Sequence, residues 1–200
     1  MADRYPGYDV LAKWDSPSFD DATRGVLSDR LGRVPERSFL SEAEWALLDA
    51  VVARLLPQPD RVEPVPITPW IDAMLAADRG DGYRHDGVPQ LREAWRRGLA
   101  GLAAEALVLD AHGFTALGPE AQDALLARVQ RGEIAPGRWD GLSPKRFFEH
   151  LLLRTVVGIY YSHPLAWNEI GYGSPASPRG YVRLSFDGRD PWEAGEARGG

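Results

Sequence analysis

Four histidines, His85, His112, His150 and His163, are the side chains in this chain best suited to acid–base chemistry near neutral pH. No two of them stand at i, i+4, and no H-E-x-x-H occurs, so the helical spacing that holds zinc is missing. The chain has no cysteine. Disulfides, thiolate metal sites and cysteine-ligated iron–sulfur clusters are thereby excluded. His163, near Asn168, invites an acid–base reading. An imidazole between a Ser and a Pro at a helix end more often caps backbone carbonyls, and that is the role expected here. Residues 80–87, GDGYRHDG, lack the alternating oxygen ligands and terminal Glu of an EF-hand, so they read as a turn. The GYGSPASPRGY run has glycines but not the strand–turn–helix setting of a dinucleotide loop. No G-x-S-x-G is present. The carboxylates are plentiful and fall on expected solvent faces. No constellation of an enzyme active site results, and no metal or cofactor site is expected in the chain itself.

Aromatic side chains are the other source of chemistry. Seven tryptophans are many for 200 residues. Two segments combine aromatics with turn-forming residues. One carries Tyr5, Tyr8 and Trp14. The other, 160–181, carries Tyr160, Tyr161, His163, Trp167, Asn168, Ile170, Tyr172 and Tyr181 among Gly, Ser and Pro. Such loops have two readings: they fold back to cover a core, or they form a binding surface anchored by Tyr and Trp.

The elements that must position these residues are helical. Ser143 and Pro144 open the most apolar helix, expected over 143–162 and stopped by Pro164. Its stripes, Phe147, Leu151 and Thr155 beside Phe148, Leu152, Val156 and Ile159, predict a central element packed on several faces. Upstream, Ser16-Pro17 suggests a short helix with Phe19, Ala22, Val26 and Leu27 inward. Ser41 and Glu44 form a capping box for a helix with Trp45, Leu48, Val52 and Leu55 in its stripe. Four prolines in 57–66 make a stiff connector. Thr68-Pro69 is the expected start of the next helix, with Trp70, Ile71, Met74 and Leu75 inward. A long helix follows over about 89–111, carrying Leu91, Trp95, Leu99, Leu102, Ala106 and Leu109. Gly118-Pro119 opens another, with Ala121, Leu125, Leu126 and Val129 inward, that Gly132 closes. Residues 181–186 alternate as a short strand or arm. The expectation is an all-α single domain of about six helices over 16–173, with an extended arm at 1–15 and an irregular arm and tail at 174–200.

The segment 147–181 resembles the C-terminal signature of the gluconate 2-dehydrogenase subunit 3 family. The residues that carry the likeness are Phe147-Phe148, Arg154-Thr155, Gly158 followed by aromatics, Ser162-His163-Pro164, Asn168, and Ile170-Gly171-Tyr172. A looser likeness reaches back through LGPEAQDALLARVQRGEI and FLSEAEWALLDAVVARLLP to Phe39, about three quarters of the chain. The stretch Leu165-Ala166-Trp167-Asn168-Glu169 is shorter than the family's. The resemblance implies a small, non-catalytic subunit of a bacterial flavin-dependent dehydrogenase. Such a subunit binds, stabilises and in exported members escorts a large glucose–methanol–choline-type partner that holds FAD. A cytochrome c subunit is an optional third component. On that reading the aromatic segments named above are the partner interface. The rival is a self-contained helical small-molecule binder or enzyme with a pocket under 160–181.

Composition agrees with a folded protein. The hydrophobic fraction is 44% and the charged fraction 26%, which is globular. A net charge of −6 disfavours nucleic acid as a general partner. No window has the length and apolarity of a membrane span. The first residues show neither a secretory pattern nor a twin-arginine pair, so the expected compartment is the cytoplasm, or the periplasm if a leader was removed or the partner carries one.

Overall fold

The computed structural model describes residues 4–59, 61–80, 82, 85–173 and 193–197. Among them there are helices and no strand, as the all-α expectation has it. In chain order these are α1 (Asp21–Gly32), α2 (Glu42–Leu55), α3 (Ile67–Ala76), α4 (Leu91–Leu109), α5 (Pro119–Arg131), α6 (Pro144–Arg146), α7 (Arg154–Ser162) and α8 (Pro164–Trp167). A π-helical segment, Phe147–Leu153, joins α6 to α7. The 181–186 strand or arm expected from the sequence lies outside the described residues.

The chain's own contacts divide it into two compact units. The middle unit is Pro35–Ile159, and the terminal unit joins Met1–Val34 to Tyr160–Gly200. The division falls inside α7.

In the middle unit α2 packs on α3, α4 and α5, and the π segment packs on α4 and α5. The capping box at Ser41 and Glu44 is formed in both directions. Leu47, Leu48, Val51 and Val52 are the buried face of α2, with Trp45 and Leu55 half-buried at its edges. The bidentate pair of Arg54 with Asp123, at 2.7 and 2.5 Å, ties α2 to α5 on the surface. Pro119 stands in the first turn of α5, and Gly132 ends that helix in the left-handed conformation at φ 73°. Leu125, Leu126 and Val129 are its buried face, while Ala121 is exposed. On α4, Trp95, Leu99, Leu102 and Ala106 are buried, whereas Leu109 at its end is exposed. Two glycines of α4 make room for rings. A Cβ on Gly98 would stand 2.2 Å from Phe147, and one on Gly101 would stand 2.4 Å from Trp139.

Three local expectations are corrected. The helix after the prolines begins at Ile67 rather than at Thr68-Pro69. Thr68 is buried, and its hydroxyl donates to Asp49 at 3.0 Å instead of capping. The first helix begins at Asp21, because the Asp20 carboxylate accepts from the Thr23 amide at 2.7 Å and caps it there. Only Leu27 of α1 is buried, so Ala22 and Val26 face outward. The helical run over 144–162 is capped by Ser143 as expected, yet its burial is one-sided. Phe147, Phe148, Leu152, Val156 and Tyr160 are buried, and Val157 is exposed. The π segment explains that spacing: i→i+5 bonding puts more residues in each turn, so steps of four and five return to one face.

In the terminal unit the first residues are not an extended arm throughout. Asp9 caps a 3-10 turn, Val10–Lys13, and Val10 is fully buried. Among the described residues the core here is Val10, Phe19, Leu27 and Trp167, with Tyr8, Leu11 and Trp14 packed against it.

Candidate partner interface

Burial divides the aromatic residues singled out in the sequence. Trp167 is 3% exposed and fills the space among Val10, Phe19 and Leu27. Its indole N–H donates to the Tyr161 carbonyl at 2.8 Å. Tyr160 is also buried, and its hydroxyl donates to Glu169 at 2.7 Å. Trp14 is half-buried, edge-on to Phe19 with ring centroids 6.0 Å apart. For Trp167 and Tyr160 the covering reading of the loop describes the free chain: both rings are buried, and Trp167 is the largest side chain of the terminal core among the described residues. Their availability to a partner would require that unit to open.

His163 is buried and structural in its bonds. Its Nε2 stands 2.9 Å from the Arg30 carbonyl, and Nδ1 faces the Leu165 amide at 3.4 Å. A carbonyl accepts and an amide donates, so Nε2 carries the proton and Nδ1 is the acceptor. The imidazole thus caps α8 and joins it to the last turn of α1. The Arg30 guanidinium reciprocates by donating to the Ser162 carbonyl. Asn168, half-buried, accepts from the Val10 amide at 2.9 Å through its side-chain oxygen. Ser162, His163 and Asn168 therefore each bind the first residues of the chain to its later ones.

Gly171 closes the same run. Its φ of 62° is left-handed, and a Cβ there would stand 2.6 Å from the Tyr5 ring, so glycine is required twice over. Tyr5 is half-buried against it. Tyr8 donates to the Tyr172 carbonyl at 3.0 Å and accepts from the buried Lys13 ammonium at 2.9 Å. Burial first, and then the carboxylates of Asp9 and Glu193, push the Tyr8 phenol up to about 12. Tyr8 therefore remains a neutral hydroxyl at any physiological pH.

What stays on the surface is a smaller set. Tyr161, Ile170 and Tyr172 are 37%, 45% and 38% exposed. Tyr172 leans edge-on against Trp167, with centroids 5.0 Å apart, and Tyr161 does the same against Tyr160 at 5.0 Å. Buried rings thus hold exposed ones in fixed positions, which is how an anchor residue avoids losing side-chain entropy on docking. Tyr181 lies outside the described residues.

The remaining histidines are not brought together around a reacting centre with these residues. His112 lies against Asp110 at 3.1 Å on the surface. His85 and His150 stack in the middle unit, an arrangement with no local sequence signal because the two are far apart in the chain. Among the described residues no group of three or more His, Cys, Asp or Glu could hold a metal ion. No helix of the described residues is long and apolar enough to cross a membrane.

The most constrained polar site of the middle unit also escaped the sequence reading. The Asp72 carboxylate is fully buried and accepts from the amides of Ser38, Phe39 and Leu40 at 2.6, 3.1 and 2.7 Å. Burial pushes this carboxyl up, but those donors outweigh it and hold it below the ordinary carboxylate range. The anchored loop is the entry to α2.

Comparison with known proteins bears on the whole of this architecture except the first residues. The family model for gluconate 2-dehydrogenase subunit 3 matches residues 42–174. No curated protein and no solved structure matches significantly. The matched span includes α2 to α8 and the 162–172 run that ties the chain ends together, and it is well over half of the sequence. The chain belongs to the gluconate 2-dehydrogenase subunit 3 family.

Proposed function

We propose that this chain is the non-catalytic small subunit of a dehydrogenase complex. It binds and stabilises a large FAD-dependent subunit of the glucose–methanol–choline type through Tyr161, Ile170 and Tyr172. Family membership supports the place in a dehydrogenase complex. The observation that carries the interface is the exposure of three large apolar side chains within the 161–172 run, two of them propped on buried rings. Flavin chemistry belongs to the partner, and this chain acts by mass action: what binds only the folded state of the partner raises that state's stability.

The test is co-expression with a large flavoprotein subunit from the same organism, followed by affinity capture and melts of the free small subunit. An anchor side chain removed from such a surface weakens docking by roughly 2 kcal/mol. Ile170→Asp and Tyr172→Ala are expected to reduce capture strongly while leaving the free subunit's melting temperature nearly unchanged. Unchanged capture by the double variant would place the interface elsewhere. Trp167→Ala is unsuitable for this purpose because it opens the core of the terminal unit.

A further inference from the structure

Two stretches of the terminal unit, both outside the span that the family model matches, meet over the docking run. The first is residues 4–8. Tyr5-Pro6-Gly7-Tyr8 has the pattern of a type II turn: Pro second, a left-handed Gly third at φ 74°, and the Tyr8 amide on the Tyr5 carbonyl at 3.1 Å. The turn brings both tyrosines to the run. The Tyr5 ring lies against Gly171, and the Tyr8 hydroxyl donates to the Tyr172 carbonyl at 3.0 Å. The second stretch is residues 193–197. Its Ala194 reaches the same glycine: a Cβ on Gly171 would stand 2.6 Å from Tyr5 and 2.9 Å from the Ala194 methyl. Gly171 lies between Ile170 and Tyr172, two of the three side chains assigned to docking.

The two stretches also hold each other. The Arg4 guanidinium pairs with Glu196 at 3.1 Å, and the Tyr5 hydroxyl donates to the same carboxylate at 3.5 Å. The Ala197 amide donates to the Arg4 carbonyl at 2.8 Å. The side chains of Arg4 and Glu196 are 67% and 48% exposed. An ion pair so exposed holds weakly and is screened by salt. The root of the first stretch is different: Val10 is fully buried, and Asn168 accepts from its amide. The contacts between 4–8 and 193–197 therefore open at lower cost than the core behind them.

We propose that residues 4–8 and 193–197 form a clasp over the docking face, which opens when the large subunit binds. The proposal rests on the docking reading above and adds regulation of that face by the chain itself. Closed, the clasp covers the backbone between Ile170 and Tyr172, whose side chains stay less than half exposed. Binding then draws on the open fraction, so holding the clasp shut weakens docking and loosening it strengthens docking.

The native chain has no cysteine, so Arg4→Cys with Glu196→Cys can be joined at that one place by a cleavable bismaleimide. Affinity for the purified large flavoprotein subunit is measured for the native chain, the unjoined double variant, the joined form, and the joined form after cleavage. Losing the ion pair is expected to tighten binding about two- to fivefold. Joining is expected to weaken binding by about tenfold or more relative to the unjoined variant, and cleavage to restore it. Recovery on cleavage separates closure of the clasp from damage to the fold. Equal affinity of the joined and unjoined forms overturns the clasp, as does a loss that cleavage does not reverse. In either case the docking reading stands if Ile170→Asp still reduces capture. If Ile170→Asp and Tyr172→Ala both bind as the native chain does, the docking reading fails and the clasp with it.

Discussion

The middle and terminal units both close an apolar core with helices, but they draw on different kinds of information. In the middle unit local signals mark much of the structure: a capping box before α2, Pro119 and Gly132 at the two ends of α5, and small residues on α4 beneath the rings that cover it. In the terminal unit the deciding bonds join residues from opposite ends of the chain. Asn168 holds the Val10 amide, His163 holds the Arg30 carbonyl, and Trp167 fills the gap between the first residues and α1. The difference teaches where a family signature gets its meaning. The 162–172 run looks like functional chemistry when read alone, yet most of its polar atoms are spent on the chain's own backbone.

The largest expected effect tests that statement. Trp167→Ala removes the largest side chain that the described residues place in the terminal core and is expected to cost ~3–5 kcal/mol within that unit. Hydrogen exchange reads it directly: the amides of Val10 and of α1 should lose their protection. If they exchange as slowly as before, Trp167 is not what closes this unit, and its exclusion from the partner interface must be reconsidered.

Asp72 is the counterpart in the middle unit, a single side chain holding a loop. Asp72→Asn leaves one acceptor oxygen where two served three amides, at an expected cost of about 2–3 kcal/mol near neutral pH. Its acid dependence has a definite sign. The folded carboxyl titrates below its ordinary value of 3.8, so as pH falls the unfolded chain takes up the proton first. The stabilisation is complete above that ordinary value and is lost as pH drops through the folded one. Urea unfolding of the native chain should therefore weaken on the acid side more steeply than that of Asp72→Asn. Parallel acid limbs would show that Asp72 is not the group responsible.

A smaller effect probes packing under the rings. Gly98→Ala places a methyl group 2.2 Å from Phe147. Overpacking of that kind costs ~1–3 kcal/mol, offset in part by the roughly 1 kcal/mol gain in helix propensity. A net loss of about 1 kcal/mol is expected in chemical denaturation, with Gly101→Ala against Trp139 behaving alike. A gain in stability at either site would mean that the rings shift at little cost.

These cases mark what could be read from the sequence. The helices of the middle unit were legible because caps, prolines and apolar spacing act within a few residues. The start of α3 was misplaced because Thr68 found a partner on another helix, Asp49, which no local window contains. The π segment was invisible because its side chains suit an ordinary helix equally well. The aromatic run was found, but its division into buried Trp167 and exposed Tyr172 depends on the first residues folding back beside it. The His85–His150 stack lacked any local signal at all.

The smallest expected effect isolates one long-range bond. Asn168 accepts from the Val10 amide at 2.9 Å through Oδ1, a hydrogen bond that spans most of the chain. Asn168→Ala leaves a backbone donor beside a fully buried Val10 without its partner, which should cost about 1–2 kcal/mol. Asn168→Asp keeps an oxygen in the same place and should retain most of the stability, since the amide needs only an acceptor. Comparing the two separates the bond from the bulk of the side chain. Exchange of the Val10 amide is the direct readout: it should quicken in Asn168→Ala and remain slow in Asn168→Asp. Equal exchange in both variants would show that the 3-10 turn is held by its packing on Trp167 alone. In that case the asparagine of the run would be left with its side chain free for a partner, and the division drawn here between inward-facing and outward-facing residues would shift by one position.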